Sequence, residues 1–190
     1  MRLVFVGPPG SGKGTQAKLL RERRGYTVIG TGDILRDAVK RHTPLGLKVE
    51  SCLASGRLVP DDLVNELVAE LFRRDDHPVR FVLDGYPRTV GQAEALGDIL
   101  HRAGQDLQHV FQFVLPDEDV IKRLEGRRTQ EQRSDDGAET VRKRLSLYHA
   151  AADDLVEHYR RKGLLREIDA GQDVEKVYRQ IETNLGTQAK

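Results

Sequence analysis

Short apolar runs recur along the chain and alternate with longer amphipathic stretches. Several of the runs are nearly continuous rather than alternating in polarity, which is typical of parallel strands that helices cover on both faces. The runs are LVFV at 3–6, YTVI at 26–29, VRFVL at 79–83, VFQFVL at 110–115 and LLREI at 164–168. This pattern predicts an α/β fold with a five-stranded parallel sheet.

The stretches between the runs carry helical signals. Pro60 and the acidic pair that follows it mark the start of a helix, while Gly25 and Gly163 stand where helices would end before a strand. After Pro60, apolar residues recur at helical spacing: Leu63, Val64, Leu67, Val68, Leu71 and Phe72. The alternation of strand and helix predicts a three-layer sandwich, in which ligands bind beyond the carboxyl ends of the strands.

Two stretches interrupt this alternation. Residues 30–59 contain a helical pattern from Ile34 to Val39 and then the sequence TPLG. Residues 126–136, GRRTQEQRSDD, are polar and charged and have no apolar periodicity. We expect both stretches to be insertions into one core domain made of residues 1–29, 60–125 and 137–190.

Composition narrows the possible classes of protein. The 190 residues are 38% hydrophobic and 32% charged, which suits one buried core. A net charge of +1 argues against nucleic acid as a partner, so any phosphate site needs a local cluster of basic residues. No run approaches the ~18 apolar residues of a membrane span, and the amino terminus has no signal-peptide pattern. Because Cys52 is the only cysteine, we expect a reducing cytoplasm. Because one small core is expected, we also expect a monomer.

The glycine-rich stretch after the first run has the spacing of a P-loop. Gly7, four residues, Gly12 and Lys13 match that pattern, and the usual hydroxyl comes one position late, at Thr15. Backbone N–H groups at the start of the following helix would converge on phosphate oxygens. The alternative is an ordinary glycine-rich turn between strand and helix. The candidate phosphate contacts are Gly10, Ser11, Gly12, Lys13, Gly14 and Thr15.

Asp84 directly follows the third run, VRFVL at 79–83, which contains four apolar residues. In P-loop enzymes an Asp in this place holds the Mg²⁺ ion that bridges the terminal phosphates. The alternative is an acidic turn residue before Gly85. The chain also has more arginines than one nucleotide needs, and planar guanidinium groups pair well with phosphate oxygens. Each could equally be a surface residue; the candidates are Arg36, Arg88, Arg123, Arg127, Arg133 and Arg144.

Five motifs in order make the chain resemble the adenylate kinases in their short-lid form: GPPGSGKGTQ at 7–16, TGD at 31–33, GRLVPDDL at 56–63, DGYPRT at 84–89 and RSDDGAETVRKRL at 133–145. The resemblance covers essentially the whole chain. It implies an AMP-binding insertion at 30–59, a mobile lid at 126–136, and the reaction of ATP with AMP to give two ADP with Mg²⁺. The short lid contains neither Cys nor His, so the resemblance implies no structural zinc.

The resemblance also implies roles for individual residues. Asp84 would orient Mg²⁺ through its water shell, and Arg127 with the backbone near Gln172 would border the ATP adenine. The catalytic set would be Lys13, Arg88, Arg123, Arg127, Arg133 and Arg144. The AMP site would be Thr31, Arg36, Arg57, Leu58, Val59, Gly85, Tyr86, Pro87, Arg88, Gln92, Arg133 and Arg144, with Gln92 reading the adenine edge.

Several alternatives stay open at the level of the sequence. Thr89 and Gln92 have the spacing of a capping box, so Gln92 could simply close the start of a helix. Thr31 stands where a helix N-cap would lie. A kinase for UMP or CMP would keep the same core, and a nucleotide-dependent switch would use the loop without transferring phosphate. An acceptor phosphate with a second pKa of about 6 is largely ionised at neutral pH, so no general base is expected.

Overall fold

The structure, a computed structural model, describes residues 1–131 and 138–186, without the side chains of 127–131 and 138. Five strands lie in these residues: β1 Arg2–Val6, β2 Thr27–Gly30, β3 Phe81–Asp84, β4 His109–Val114 and β5 Leu165–Asp169. They alternate with helices α1 Lys13–Arg24, α2 Thr31–Lys40, α3 Pro44–Ala54, α4 Asp61–Arg73, α5 Val90–Arg102, α6 Asp117–Glu131, α7 Ala138–Arg161 and α8 Val174–Leu185.

All five strands form one parallel sheet in the order β2-β3-β1-β4-β5. The predicted α/β fold with a five-stranded parallel sheet is therefore confirmed, and each apolar run overlaps one strand. Gly25 and Gly163 adopt the left-handed φ values of +67° and +70° that end α1 and α7 before the next strand. Among the described helices, none combines the length and the apolar composition that crossing a bilayer requires.

Each face of the sheet has its own hydrophobic core. Successive residues of a strand point to opposite faces, so Leu3 and Phe5 of β1 pack into one core with residues of α1, α6 and α8. Val4 and Val6 pack into the other core with residues of α4, α5 and α7. Helices thus cover both faces of β1, which explains why its sequence is apolar without alternation.

Residues 30–59, the predicted insertion, contain the two helices α2 and α3, whereas the sequence pattern indicated only α2. Pro44 opens α3, and the Thr43 hydroxyl caps it by accepting the N–H of Gly46 at 3.1 Å. A Cβ at Gly46 would lie only 2.1 Å from the carbonyl oxygen of Ala38 in α2. The close approach of the two helices therefore requires glycine at this position.

We expect Gly46→Ala to lower the free energy of unfolding by ~1–3 kcal/mol, because the added methyl group forces α2 and α3 apart. Gly97→Ala in α5 is the matched control, since nothing lies within 4 Å of a Cβ there. That control should gain about 0.5–1 kcal/mol through helix propensity. Urea denaturation of both variants measures the difference, and equal shifts in the same direction would contradict the packing account.

Candidate functional site

A cleft of ≈ 1120 Å³ lies along the carboxyl edge of the sheet. Side chains from the loop after β1, the end of β3, the insertion and α6, α7 and α8 reach it. It brings together the predicted residues Gly10, Ser11, Gly12, Lys13, Gly14, Thr15, Arg36, Leu58, Asp84, Gly85, Pro87, Arg88, Arg123, Arg144 and Gln172.

The loop between β1 and α1 folds around the ammonium group of Lys13. Nζ donates to the carbonyl oxygens of Gly7 at 2.9 Å and Pro8 at 2.7 Å, and Ser11 Oγ accepts from it at 3.3 Å. Lys13 is also the first residue of α1, and Gly12 before it has a φ of +92°. A fixed positive charge and the free N–H groups of a helix start therefore occur at one place, which suits a phosphate group.

Asp84 lies beside this loop because β1 and β3 are neighbours. Asp84 pairs with Phe5 in the parallel register, so both strands deliver their ends to the same edge. A Cβ at Gly14 would be 3.5 Å from Asp84 Oδ2. Glycine after the lysine therefore leaves the carboxylate uncovered, and the hydroxyl follows at Thr15.

The carboxylate of Asp84 fits a magnesium ion better than a metal caged by protein. Among the described residues, no three His, Cys, Asp or Glu side chains are grouped as metal ligands. Mg²⁺ keeps several waters and is held by one or two carboxylates together with substrate phosphates. A lone carboxylate next to a phosphate loop matches that requirement.

Arg123 approaches the loop from α6. Its Nη2 donates to the carbonyl oxygen of Ala170 at 2.9 Å, and its Nη1 lies 3.9 Å from the position of a Cβ at Gly12. Arg127 belongs to the described backbone of α6, but its side chain is outside the described residues, as is the whole of Arg133.

Three further arginines face the cleft from the other side. Arg36 pairs with Asp33 one helical turn earlier, at 2.6 Å. Arg88 Nε donates to the carbonyl oxygen of Gly85 at 2.8 Å. Arg144 comes from α7 and, like the other two, lines both the large cleft and a smaller cavity next to it. These guanidinium groups surround the region that joins the two cavities.

The smaller cavity has a volume of ≈ 50 Å³ and lies between the insertion and the core. Most of the residues predicted to bind AMP line it: Thr31, Arg36, Arg57, Leu58, Val59, Gly85, Arg88, Gln92 and Arg144. Residues far apart in the sequence therefore converge on one pocket, as their predicted common role requires.

Tyr86 does not reach either cavity. Its side chain is fully buried, and its hydroxyl donates to Asn65 Oδ1 at 2.8 Å or to the carbonyl oxygen of Gln92 at 3.1 Å. Burial raises the pKa of its phenol well above the usual value. The structure therefore places the Tyr86 ring beneath the site, and its contact with AMP stays a prediction.

Thr31 is the first residue of α2, and Gly30 takes the N-cap position that the sequence suggested for Thr31. Its hydroxyl instead donates to the carbonyl oxygen of Asp84 at 3.4 Å. Thr31 thereby ties the insertion to the end of β3, directly beneath the cleft.

Gln92 takes part in the helix start and lines the smaller cavity, while its contact with adenine stays a prediction. Thr89 caps α5 by accepting the Gln92 N–H at 3.1 Å, while Gln92 Oε1 accepts the N–H of Arg88 at 2.7 Å. The side chain also lines the smaller cavity, and Gln92 Nε2 donates to Asp61 Oδ1 at 2.7 Å. The helix start and the cavity wall thus use the same amide.

Sequence reasoning missed Asp61, which supports the wall of the smaller cavity, and Tyr148, which lines the cleft. Asp61 entered it only as part of a helix start, although it accepts hydrogen bonds from both Thr89 and Gln92. Tyr148 lines the large cleft, and burial with nearby Asp153 and Asp117 raises its pKa to about 12. The apolar stripe of α7 signals Tyr148 in the sequence, but no local pattern signals the contacts of Asp61.

Comparisons with known proteins agree with this geometry. The family model described as Adenylate kinase matches residues 5–164. An adenylate kinase of Thermus thermophilus is 43% identical over 97% of this chain and 96% of its own length. An adenylate kinase of Archaeoglobus fulgidus is 39% identical over 97% and 98%, and one of Renibacterium salmoninarum is 44% identical over 88% and 87%.

The family model covers β2, β3, β4 and the last two residues of β1, together with most of the residues that line the two cavities, and the relatives match nearly the whole chain. The phosphate loop, Asp84 and the arginines that converge on the cleft all lie within the matched residues. The chain belongs to the adenylate kinase family.

Proposed function

We propose that the protein transfers a phosphoryl group reversibly from Mg-ATP to AMP, giving two ADP. The observation that carries this proposal is the junction of two cavities: one contains the phosphate loop, and the other is lined by the residues expected around AMP. Arg36, Arg88 and Arg144 line both, so phosphates from two nucleotides would meet among them.

The donor side of the cleft would hold ATP. Lys13 and the N–H groups from Gly10 to Thr15 would bind the terminal phosphates, since they combine a positive charge with a helix start. Gln172, on the same cleft, would border the adenine together with Arg127.

Asp84 would hold Mg²⁺ through water molecules at the end of β3. When bound, the ion supplies charge neutralisation at the terminal phosphates. The chain's own contribution is the carboxylate, which Gly14 leaves uncovered on the side of the loop.

The acceptor side would hold AMP, with its phosphate at Arg36 and Arg88 and its base against Gln92 in the smaller cavity. Thr31, the backbone at 57–59, Gly85 and Pro87 would complete this wall. Arg123 and Arg144, with Arg127 and Arg133, would neutralise charge on the transferred group.

No general base is needed, because the acceptor phosphate is already largely ionised near neutral pH. Tyr148 in the cleft fits this chemistry, since its raised pKa of about 12 keeps the phenol protonated at neutral pH and unable to act as a base. Positioning and electrostatic stabilisation then provide the rate enhancement.

We further propose that residues 30–59 move over AMP and that residues 126–136 form a lid over ATP. Closure would keep water from accepting the phosphoryl group. In this proposal the protein acts as a cytoplasmic monomer without structural zinc, and its partners are ATP, AMP and ADP rather than nucleic acid or a membrane.

The direct test is to mix the protein with Mg-ATP and, separately, AMP, CMP, UMP or GMP, and to measure nucleoside diphosphate formation. We expect efficient reaction with AMP alone, with two ADP formed for each AMP consumed. A preference for UMP or CMP would mean that the acceptor is a pyrimidine nucleotide and not AMP. Binding of ATP without any phosphoryl transfer would favour a nucleotide-dependent switch.

Arg123→Ala should lower kcat by about 10³–10⁵, by analogy with arginine fingers that stabilise phosphoryl transfer. The affinity for ATP should change much less, because Lys13 and the loop N–H groups remain. Arg102→Ala, at an exposed position at the end of α5, is the control and should keep wild-type activity. A loss in ATP affinity with kcat unchanged would show that Arg123 serves binding only.

Without AMP, the protein should hydrolyse ATP at only a small fraction of the transfer rate, because assembly of the closed site requires both substrates. Release of inorganic phosphate in the presence and absence of AMP measures this ratio. Hydrolysis near the transfer rate would contradict closure as the means of excluding water.

A further inference from the structure

We infer that Asp61 is a positioning residue that fixes the orientation of the Gln92 amide and so selects 6-aminopurine over 6-oxopurine monophosphates. The inference rests on the proposed function, in which Gln92 contacts the acceptor base. It concerns a residue that lies beneath the cavity wall and that would not touch the substrate.

Both oxygens of the Asp61 carboxylate are engaged by the start of α5. Oδ1 accepts from Gln92 Nε2 at 2.7 Å, and Oδ2 accepts from Thr89 Oγ1 at 2.6 Å. The Thr89 hydroxyl, having donated to Asp61, accepts the Gln92 N–H at 3.1 Å. Asp61 therefore connects the first residue of α4 to the cap and to the amide of Gln92.

The chemistry of the two neighbours allows only one orientation of this amide. An ionised carboxylate can only accept hydrogen bonds, so it faces the NH₂ end, and the backbone N–H of Arg88 can only donate, so it faces Oε1. Rotating the amide by half a turn would set oxygen against carboxylate and NH₂ against N–H. Gln92 is only 2% exposed, so water cannot relieve either mismatch.

The oriented amide keeps one N–H and one oxygen lone pair for a ligand. Adenine presents an amino donor at C6 and an acceptor at N1, which match the oxygen and the N–H respectively. Hypoxanthine and guanine present an oxygen at C6 and a donor at N1, which need the reversed amide. Cytosine presents the same order of donor and acceptor as adenine, so orientation alone does not reject it.

The chain contains a matched control for Asp61. Asp62 is the next residue in the same first turn of α4, carries the same charge and is exposed, whereas Asp61 is half-buried. Among the described hydrogen bonds, those that the Thr89 hydroxyl and Gln92 Nε2 donate are accepted by Asp61. Helix-dipole effects are common to both residues, so a difference between them isolates the contact with Gln92.

The experiment compares kcat/KM for AMP and for IMP, with Mg-ATP as donor, in the wild type, Asp61→Asn, Asp61→Ala, Asp62→Asn and Gln92→Ala. Asn at position 61 is isosteric but can present either a donor or an acceptor, so only the Arg88 N–H then still favours one amide orientation. We expect the AMP/IMP ratio to fall at least about tenfold in both Asp61 variants, chiefly through KM. Asp62→Asn should keep the wild-type ratio, and the CMP/AMP ratio should change little.

The outcomes separate this inference from the proposed function beneath it. If Gln92→Ala loses the AMP/IMP preference while Asp61→Asn keeps it within twofold, the base contact stands and the role of Asp61 is wrong. If Gln92→Ala also keeps the preference, or the wild type has none, the base contact itself fails. General destabilisation would weaken both acceptors together and leave their ratio unchanged, so a lost ratio is not explained by it.

Discussion

The parallel pairing of β1 with β3 is the constraint on which the site depends. Parallel strands end at the same edge of a sheet, so the pairing itself brings the loop that carries Lys13 next to the carboxylate of Asp84. Two separate cores, one on each face of β1, hold that register in place. Because side chains alternate between faces, a slip of one residue would turn the core residues of β1 to the wrong faces and move the loop away from Asp84.

Charge distribution gives the fold its chemical selectivity. The chain as a whole carries a net charge of only +1, yet five arginines and two lysines are among the described residues that line one cleft. Several of them are held by neutral backbone carbonyls, such as Arg123 by Ala170 and Arg88 by Gly85. These two carbonyl contacts help to orient the guanidinium groups at the cleft. In the proposed function, the loop binds one nucleotide and the smaller cavity binds a second, so a phosphoryl group can pass between them.

The sequence was informative wherever a local pattern determines the structure. The apolar runs predicted every strand, and the spacing around Lys13 predicted the loop and the start of α1. It was less informative where tertiary contacts decide: α3 has a weak apolar pattern, and Tyr86 stands inside a binding motif but points into the core. Asp61 reads as an ordinary helix start because its partners are 28 and 31 residues away. The proposed roles of Arg127 and Arg133 stay predictions.

A crystal structure with Mg²⁺, a non-hydrolysable ATP analogue and AMP would test the central claim, that two nucleotides meet at this edge of the sheet. The account predicts the terminal phosphate of the analogue within hydrogen-bonding distance of Lys13 and the loop N–H groups. It places the AMP phosphate at Arg36 and Arg88, facing the terminal phosphate in line for transfer. AMP outside the smaller cavity, or phosphates that point away from each other, would contradict it.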